Sequence, residues 1–183
     1  MSCIMSSVVS ITSAIDIPSG LMNTPIGLLL EYHNLGRQHD PYRSAELLIG
    51  MCMDHRKHLR IPDNFAYVIR SGGANLRPSE FKVSYAISIG GVRALALIAH
   101  TQCGMVNLAK RKDEFIQGLV DGAGWDRATA EQHFARFAPI FEIGNEVEFA
   151  LLEARRLGEL YPRIQVVPLL YKVEDNQLYL LRD

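Results

Sequence analysis

The chain has 183 residues, 48% hydrophobic and 21% charged, which fits one globular domain with a sizeable core. Its net charge of −1 gives no global footprint for nucleic acid or an anionic membrane. There is no run of about 18 uninterrupted apolar residues to span a membrane. The sparse cysteines (Cys3, Cys52, Cys103) and a start without Lys or Arg before Arg37 argue against a secreted disulfide scaffold, so a cytoplasmic, reducing location is expected.

Residues 1–20 show no strong periodicity and are expected to be an N-terminal arm or a disordered tail, with 21–183 as a single α/β domain. From Thr24 to Leu35, Ile26, Leu29, Leu30 and His33 fall at helical spacing. "AELLIGM" (45–51) is short, continuous and apolar, the pattern of a buried strand, and "FAYVIR" (65–70) reads as a second strand. "RPSEFKVSYAISIGGV" (77–92) reads as a helix opened by Pro78–Ser79 and stopped by Gly90–Gly91. "RALALIA" (93–99) is a third strand. Beyond Gly104 the pattern is helical to Leu160, with breaks expected at 122–124, Pro139 and Gly144. "IQVVPLLYKV" and "QLYLL" then form a hairpin around Asp175–Asn176. Strands interleaved with helices imply a mainly parallel central sheet flanked by helices, with a C-terminal strand hairpin.

In such a sheet, ligands gather beyond the carboxyl ends of the strands. Cys52 follows the first predicted strand, and His100 with Cys103 follows the third. Two thiolates and one imidazole suit tetrahedral zinc, and three protein ligands leave the fourth position of a catalytic site open. Two thiolates cancel the charge of Zn²⁺, so hydrogen bonding around the ligands has to tune the site. Asp54 and Arg56 alternate with Cys52 on one extended stretch, so they share its face. Asp54 can reach the metal or its water, and Arg56 can hold the carboxylate with a bidentate pair.

Cys52-Met-Asp54-His-Arg56, "VIRSGG" (68–73) and His100-Thr-Gln-Cys103-Gly104 together resemble the β-class carbonic anhydrases, and the element order agrees from about residue 24 onward. The resemblance implies zinc on Cys52, His100 and Cys103, an Asp54–Arg56 dyad beside it, and reversible hydration of CO₂ to bicarbonate by zinc-bound hydroxide. It also implies a homodimer or higher homo-oligomer. In some members the aspartate closes the fourth zinc position until it pairs with the arginine. "RSGG" departs from the family's frequent Arg-Asn-Ala-Gly, and "HTQCG" from forms with Asp or Ser before the cysteine. The same ligand set resembles carbonyl sulfide and carbon disulfide hydrolases, which makes COS or CS₂ an alternative substrate. A zinc-stabilised assembly protein without activity is the alternative from another class.

Several other features have plain readings beside functional ones. His55 and His58 are either proton shuttles or solvated histidines of a basic loop. Gln38 and Gln102 are candidates for orienting bicarbonate. "SGGAN" (71–75) is either an anion nest or a flexible loop. Phe134, Phe137, Ile140 and Phe141 form a stripe expected in the core or at a subunit contact. Cys3 is expected to be a bystander.

Overall fold

The structure, a computed structural model, describes residues 7–182. In chain order its strands are β1 (Ser7–Ser10), β2 (Leu47–Met51), β3 (Ala66–Arg70), β4 (Ala94–His100), β5 (Gln165–Lys172) and β6 (Gln177–Arg182). Its α-helices are α1 (Pro25–Leu35), α2 (Glu80–Ser88), α3 (Lys112–Ala123), α4 (Arg127–Phe141) and α5 (Glu146–Leu160). The strands form one six-stranded sheet in the order β1-β6-β5-β4-β2-β3. The pairs β5–β4, β4–β2 and β2–β3 are parallel, and β6 is antiparallel to both β5 and β1.

β2 and β4 are buried along their whole length, which is why they read as unbroken apolar runs instead of alternating ones. Their side chains go alternately to two faces. Leu47, Ile49 and Met51 of β2, with Ala94, Ala96 and Ile98 of β4, pack under Ile26, Leu29 and Leu30 of α1. Leu48, Leu95 and Leu97 pack on the other face against Val83 and Ala86 of α2 and Ala154 and Leu157 of α5. Helices therefore cover both sides, as the interleaved pattern requires.

Local chemistry starts and stops these helices. Thr24 caps α1 by accepting from Gly27 N–H at 3.2 Å, Pro25 sits where a missing N–H is harmless, and Gly36 ends the helix at φ 68°. Asn145 caps α5 through Val147 and Glu148 N–H groups, at 2.9 and 3.0 Å. Among the described residues, no helix is long and apolar enough to cross a membrane.

Three expectations change. Residues 1–20, expected as an arm or a disordered tail, are built into the fold from Ser7 onward. β1 pairs with β6, with Ser7 opposite Arg182, and Ile11, Ile17 and Leu21 enter the core under α1. The partner strand is the last one in the chain, so no local pattern could reveal the pairing. Pro139 does not break its helix. It lies in the last turn of α4, where the lost N–H would have served the carbonyl of solvent-exposed Ala135, and the helix ends two residues later. Finally, Arg77–Ser79 form a 3₁₀ turn, and α2 proper begins at Glu80. Cys3 lies outside the described residues.

Candidate metal centre

Strand register assembles the site. Met51 sits opposite Ile98 in the parallel β2–β4 pair, so Cys52 leaves β2 at the edge where β4 runs on to His100. A tight turn with Gln102 at φ 57° then returns Cys103 to the same point. The ligand atoms of Cys52, His100 and Cys103 all lie within 4.8 Å of one another, and all three residues are buried. Predictions made from three separate sequence positions thus converge on one cluster.

The donor chemistry fits a soft divalent ion such as zinc. His100 Nδ1 is 2.8 Å from the Thr101 carbonyl, which places the ring hydrogen on Nδ1 and leaves Nε2 as a lone pair. Nε2 is buried, has no hydrogen-bond partner and belongs to the cluster of ligand atoms within 4.8 Å of one another, where an ion could take its lone pair. The sulfurs are 4.0 Å apart. The Cys103 thiol hydrogen-bonds to Cys52 and pulls the Cys52 pKa far down, while the resulting thiolate and burial push Cys103 up. A dication held by both sulfurs would displace their protons.

Asp54 and Arg56 form the expected pair beside this cluster. Arg56 Nε donates to Asp54 Oδ1 at 3.0 Å and Nη2 to Oδ2 at 2.8 Å, and the Arg56 backbone N–H adds a third bond to Oδ1 at 2.9 Å. The guanidinium hydrogen bonds hold the Asp54 carboxyl well below its ordinary range. Oδ2 also lies 4.0 Å from His100 Nε2, so the carboxylate faces the ligand cluster. The structure brings Gln102, and not Gln38, to the dyad: its side-chain and backbone oxygens accept from Arg56 at 3.2 and 3.1 Å. His55 and His58 are exposed.

Sequence reasoning missed the residues that hold these loops. Arg70, the last residue of β3, donates to the carbonyls of Cys52, Asp54 and Lys57 at 3.3, 3.4 and 3.4 Å. Glu174, in the β5–β6 turn, accepts from Thr101 Oγ1 at 2.7 Å and Gln102 Nε2 at 2.8 Å. Glu146, at the start of α5, accepts from Cys103 N–H at 3.2 Å. Only Arg70 carried a signal, being a charged residue at a predicted strand end. "SGGAN" is packed, not open. Gly72 and Gly73 lie so close to Met105, Phe141 and Ile143 that a Cβ would sit 3.2 Å from their side chains. The amides of Ala74 and Asn75 bond to Ser71 and Gly72 carbonyls inside the turn and are not free for an anion.

Met53 and Gly104, each next in sequence to a cysteine of the cluster, line a cavity of about 870 Å³ together with Met105, Phe115, Phe137 and Phe141, with Arg70, Arg111 and Glu114 among its polar residues. Phe134 of the aromatic stripe is buried with Ile116, Ala130 and Ala138, whereas Ile140 is exposed.

No family model and no curated protein matches this chain. Solved structures do match. β-Carbonic anhydrase isoform I of Trichomonas vaginalis has a TM-score of 0.62 at 16% identity, over 79% of this chain and 87% of its own. A carbonic anhydrase of Glaciozyma antarctica has a TM-score of 0.58 at 23% identity, over 75% and 83% respectively. The apo form of a carbon disulfide hydrolase has 0.53 at 19% identity, over 74% and 77%. With its six-stranded, mostly parallel sheet and flanking helices, this chain has the fold of the β-class carbonic anhydrases.

Proposed function

We propose that the chain is a zinc-dependent carbonic anhydrase that interconverts CO₂ and bicarbonate. The observation that carries the reading is the buried Cys52–His100–Cys103 cluster with an ionised Asp54 held against it by Arg56. Cys52, Cys103 and His100 Nε2 would hold the ion. Zinc bound there supplies a Lewis acid that makes hydroxide available at neutral pH. Asp54 Oδ2 accepts the hydrogen bond of the attacking hydroxyl and so aims its lone pair. Arg56 keeps that carboxylate from swinging onto the ligand cluster. The apolar wall near Met53 and Met105 offers CO₂ a place without competing hydrogen bonds. An assembly protein that used zinc only for stability would have no use for a carboxylate fixed in this way.

COS or CS₂ hydrolysis is the second reading, favoured by the likeness to a carbon disulfide hydrolase and by the apolar cavity beside the cluster. Metal analysis combined with CO₂ hydration across pH, and with turnover of COS and CS₂ on the same protein, separates these readings. One zinc per chain with fast CO₂ hydration supports the first. Zinc with turnover of only the sulfur substrates supports the second, and a protein without zinc refutes both.

We also read the chain as a homo-oligomer. The outer strand β3 exposes Tyr67 and Val68 at 40% and 45%, an edge that isolated proteins normally blunt. A monomer mass in sedimentation at micromolar concentration, with full activity, would count against this. Cytoplasmic, reducing conditions would keep both thiols available as ligands.

A further inference from the structure

Among the described residues, two buried side-chain polar atoms have no hydrogen-bond partner: His100 Nε2 and Lys57 Nζ. The first is the lone pair that the zinc reading uses. The second has had no role so far. Lys57 is 1% exposed, and lysine is almost never fully buried unless paired, because an ammonium removed from water needs a compensating charge. Such an orphan calls for an explanation in function.

Its surroundings supply one. The Lys57 carbonyl is bound by the same Arg70 guanidinium that binds the carbonyls of Cys52 and Asp54, so one side chain gathers these three residues around itself. The anionic groups that act on the Lys57 ammonium are Cys52, Asp54 and Cys103, with Arg70 opposing them. With zinc in place the two thiolates are offset by the ion, and Asp54 is offset by Arg56. Lys57 stays a buried cation on the segment that carries Cys52 and Asp54, with no hydrogen-bond partner of its own. Burial alone draws the Lys57 pKa down, so the charge persists only if an anion nearby supports it.

We propose that Lys57 is a specificity-determining residue of this site, a buried cation whose counter-ion is the small monoanion that the site binds. In the carbonic anhydrase reading, on which this inference rests, that anion is bicarbonate. A neutral ligand gains nothing from Lys57, so the residue biases the site toward anions over uncharged molecules of similar size. The cost appears in stability, because the ammonium is stranded whenever no anion is present.

The test uses cobalt-substituted protein, titrated with thiocyanate as the monoanion and imidazole as the neutral ligand, and read by visible absorption. Lys57→Met keeps the chain length and removes the charge. It should retain one equivalent of metal and lose on the order of tenfold in thiocyanate affinity, with imidazole affinity changed by less than about twofold. Lys57→Gln, which keeps polarity without charge, should behave the same way. Metal-free Lys57→Met should melt no lower than metal-free wild type. An unchanged thiocyanate-to-imidazole ratio in both variants overturns the proposal. So does a lower melting point with both ligands weakened alike, which is what a purely structural lysine predicts. If wild-type protein takes up no metal, the zinc reading has failed and takes this one with it. A loaded, active protein indifferent to Lys57 refutes only the present inference.

Discussion

Replacing Arg56 with alanine tests the dyad most directly, because the two oxygens of Asp54 depend on Arg56 differently. Oδ1 receives both the Nε bond and the Arg56 backbone N–H, and the substitution spares the second of these. Oδ2 receives Nη2 and loses it. Oδ2 is also the oxygen 4.0 Å from His100 Nε2, so the freed atom already faces the ligand cluster and needs only a side-chain rotation to occupy the open metal position. Residues that orient groups around a metal are typically worth about 10- to 100-fold in activity or affinity. The upper end applies here, since the Asp54 side chain is only 15% exposed and water replaces the lost donor poorly. Arg56→Ala should therefore keep about one zinc per chain while CO₂ hydration, followed by stopped flow with a pH indicator, falls on the order of a hundredfold. Activity should recover partly as pH rises, because hydroxide ion competes with a carboxylate for the metal. Asp54→Ala should also keep its zinc and lose rate, without the recovery. Normal hydration by both variants at every pH would reduce the dyad to a surface ion pair and refute the role assigned to it.

Cys52→Ser and Cys103→Ser should each reduce bound zinc to a small fraction of an equivalent by metal analysis, because a serine hydroxyl is harder and stays protonated where a thiolate forms. Gly27→Ala should lower stability by about 1–3 kcal/mol in denaturant unfolding and leave zinc stoichiometry unchanged, because its Cβ would lie 2.1 Å from the Leu21 backbone oxygen, which must then move. The Asp54–Arg56 pair should stabilise the fold above the ordinary aspartate value of 3.8 and lose that contribution as pH falls toward the depressed folded-state value. The difference in thermal midpoint between wild type and Arg56→Ala should accordingly narrow below about pH 4.

The parts of the fold legible in the sequence are those whose signal is local. β2 and β4 are unbroken apolar runs because both of their faces are covered, and Thr24, Pro25 and Gly36 frame α1 with ordinary helix chemistry. The grouping of Cys52, His100 and Cys103, with Asp54 and Arg56 beside them, was legible because these residues lie at or just beyond the ends of strands that could be read, and parallel strands bring their carboxyl ends to one edge. What escaped was set by distant partners. β1 exists because β6, from the far end of the chain, lies beside it. Lys57 looked like one more cation of the basic stretch "HRKHLR", yet it is buried while His55, Arg56 and His58 on either side are exposed. Glu174 and Glu146 are ordinary surface acids until the hairpin and α5 dock against the Thr101–Cys103 turn.

The ligand loops share one physical design. Each is held by a residue from an element that contributes no ligand: Arg70 of β3 holds the segment after β2, Glu174 of the hairpin holds Thr101 and Gln102, and Glu146 of α5 holds Cys103. The loops are thus tied down, through backbone at Cys52 and Cys103 and through side chains at Thr101 and Gln102, by hydrogen bonds that do not depend on an ion. Electrostatic balance is the reverse. Two cysteine sulfurs lie 4.0 Å apart, a histidine nitrogen faces the cluster without a partner, and a buried ammonium has no hydrogen bond. A site built for its own stability would have paired or removed these groups, since each costs free energy when left alone. Tied-down loops beside unpartnered polar atoms are what the proposed zinc site requires, since an ion held by Cys52, His100 and Cys103 would supply the interaction that His100 Nε2 lacks.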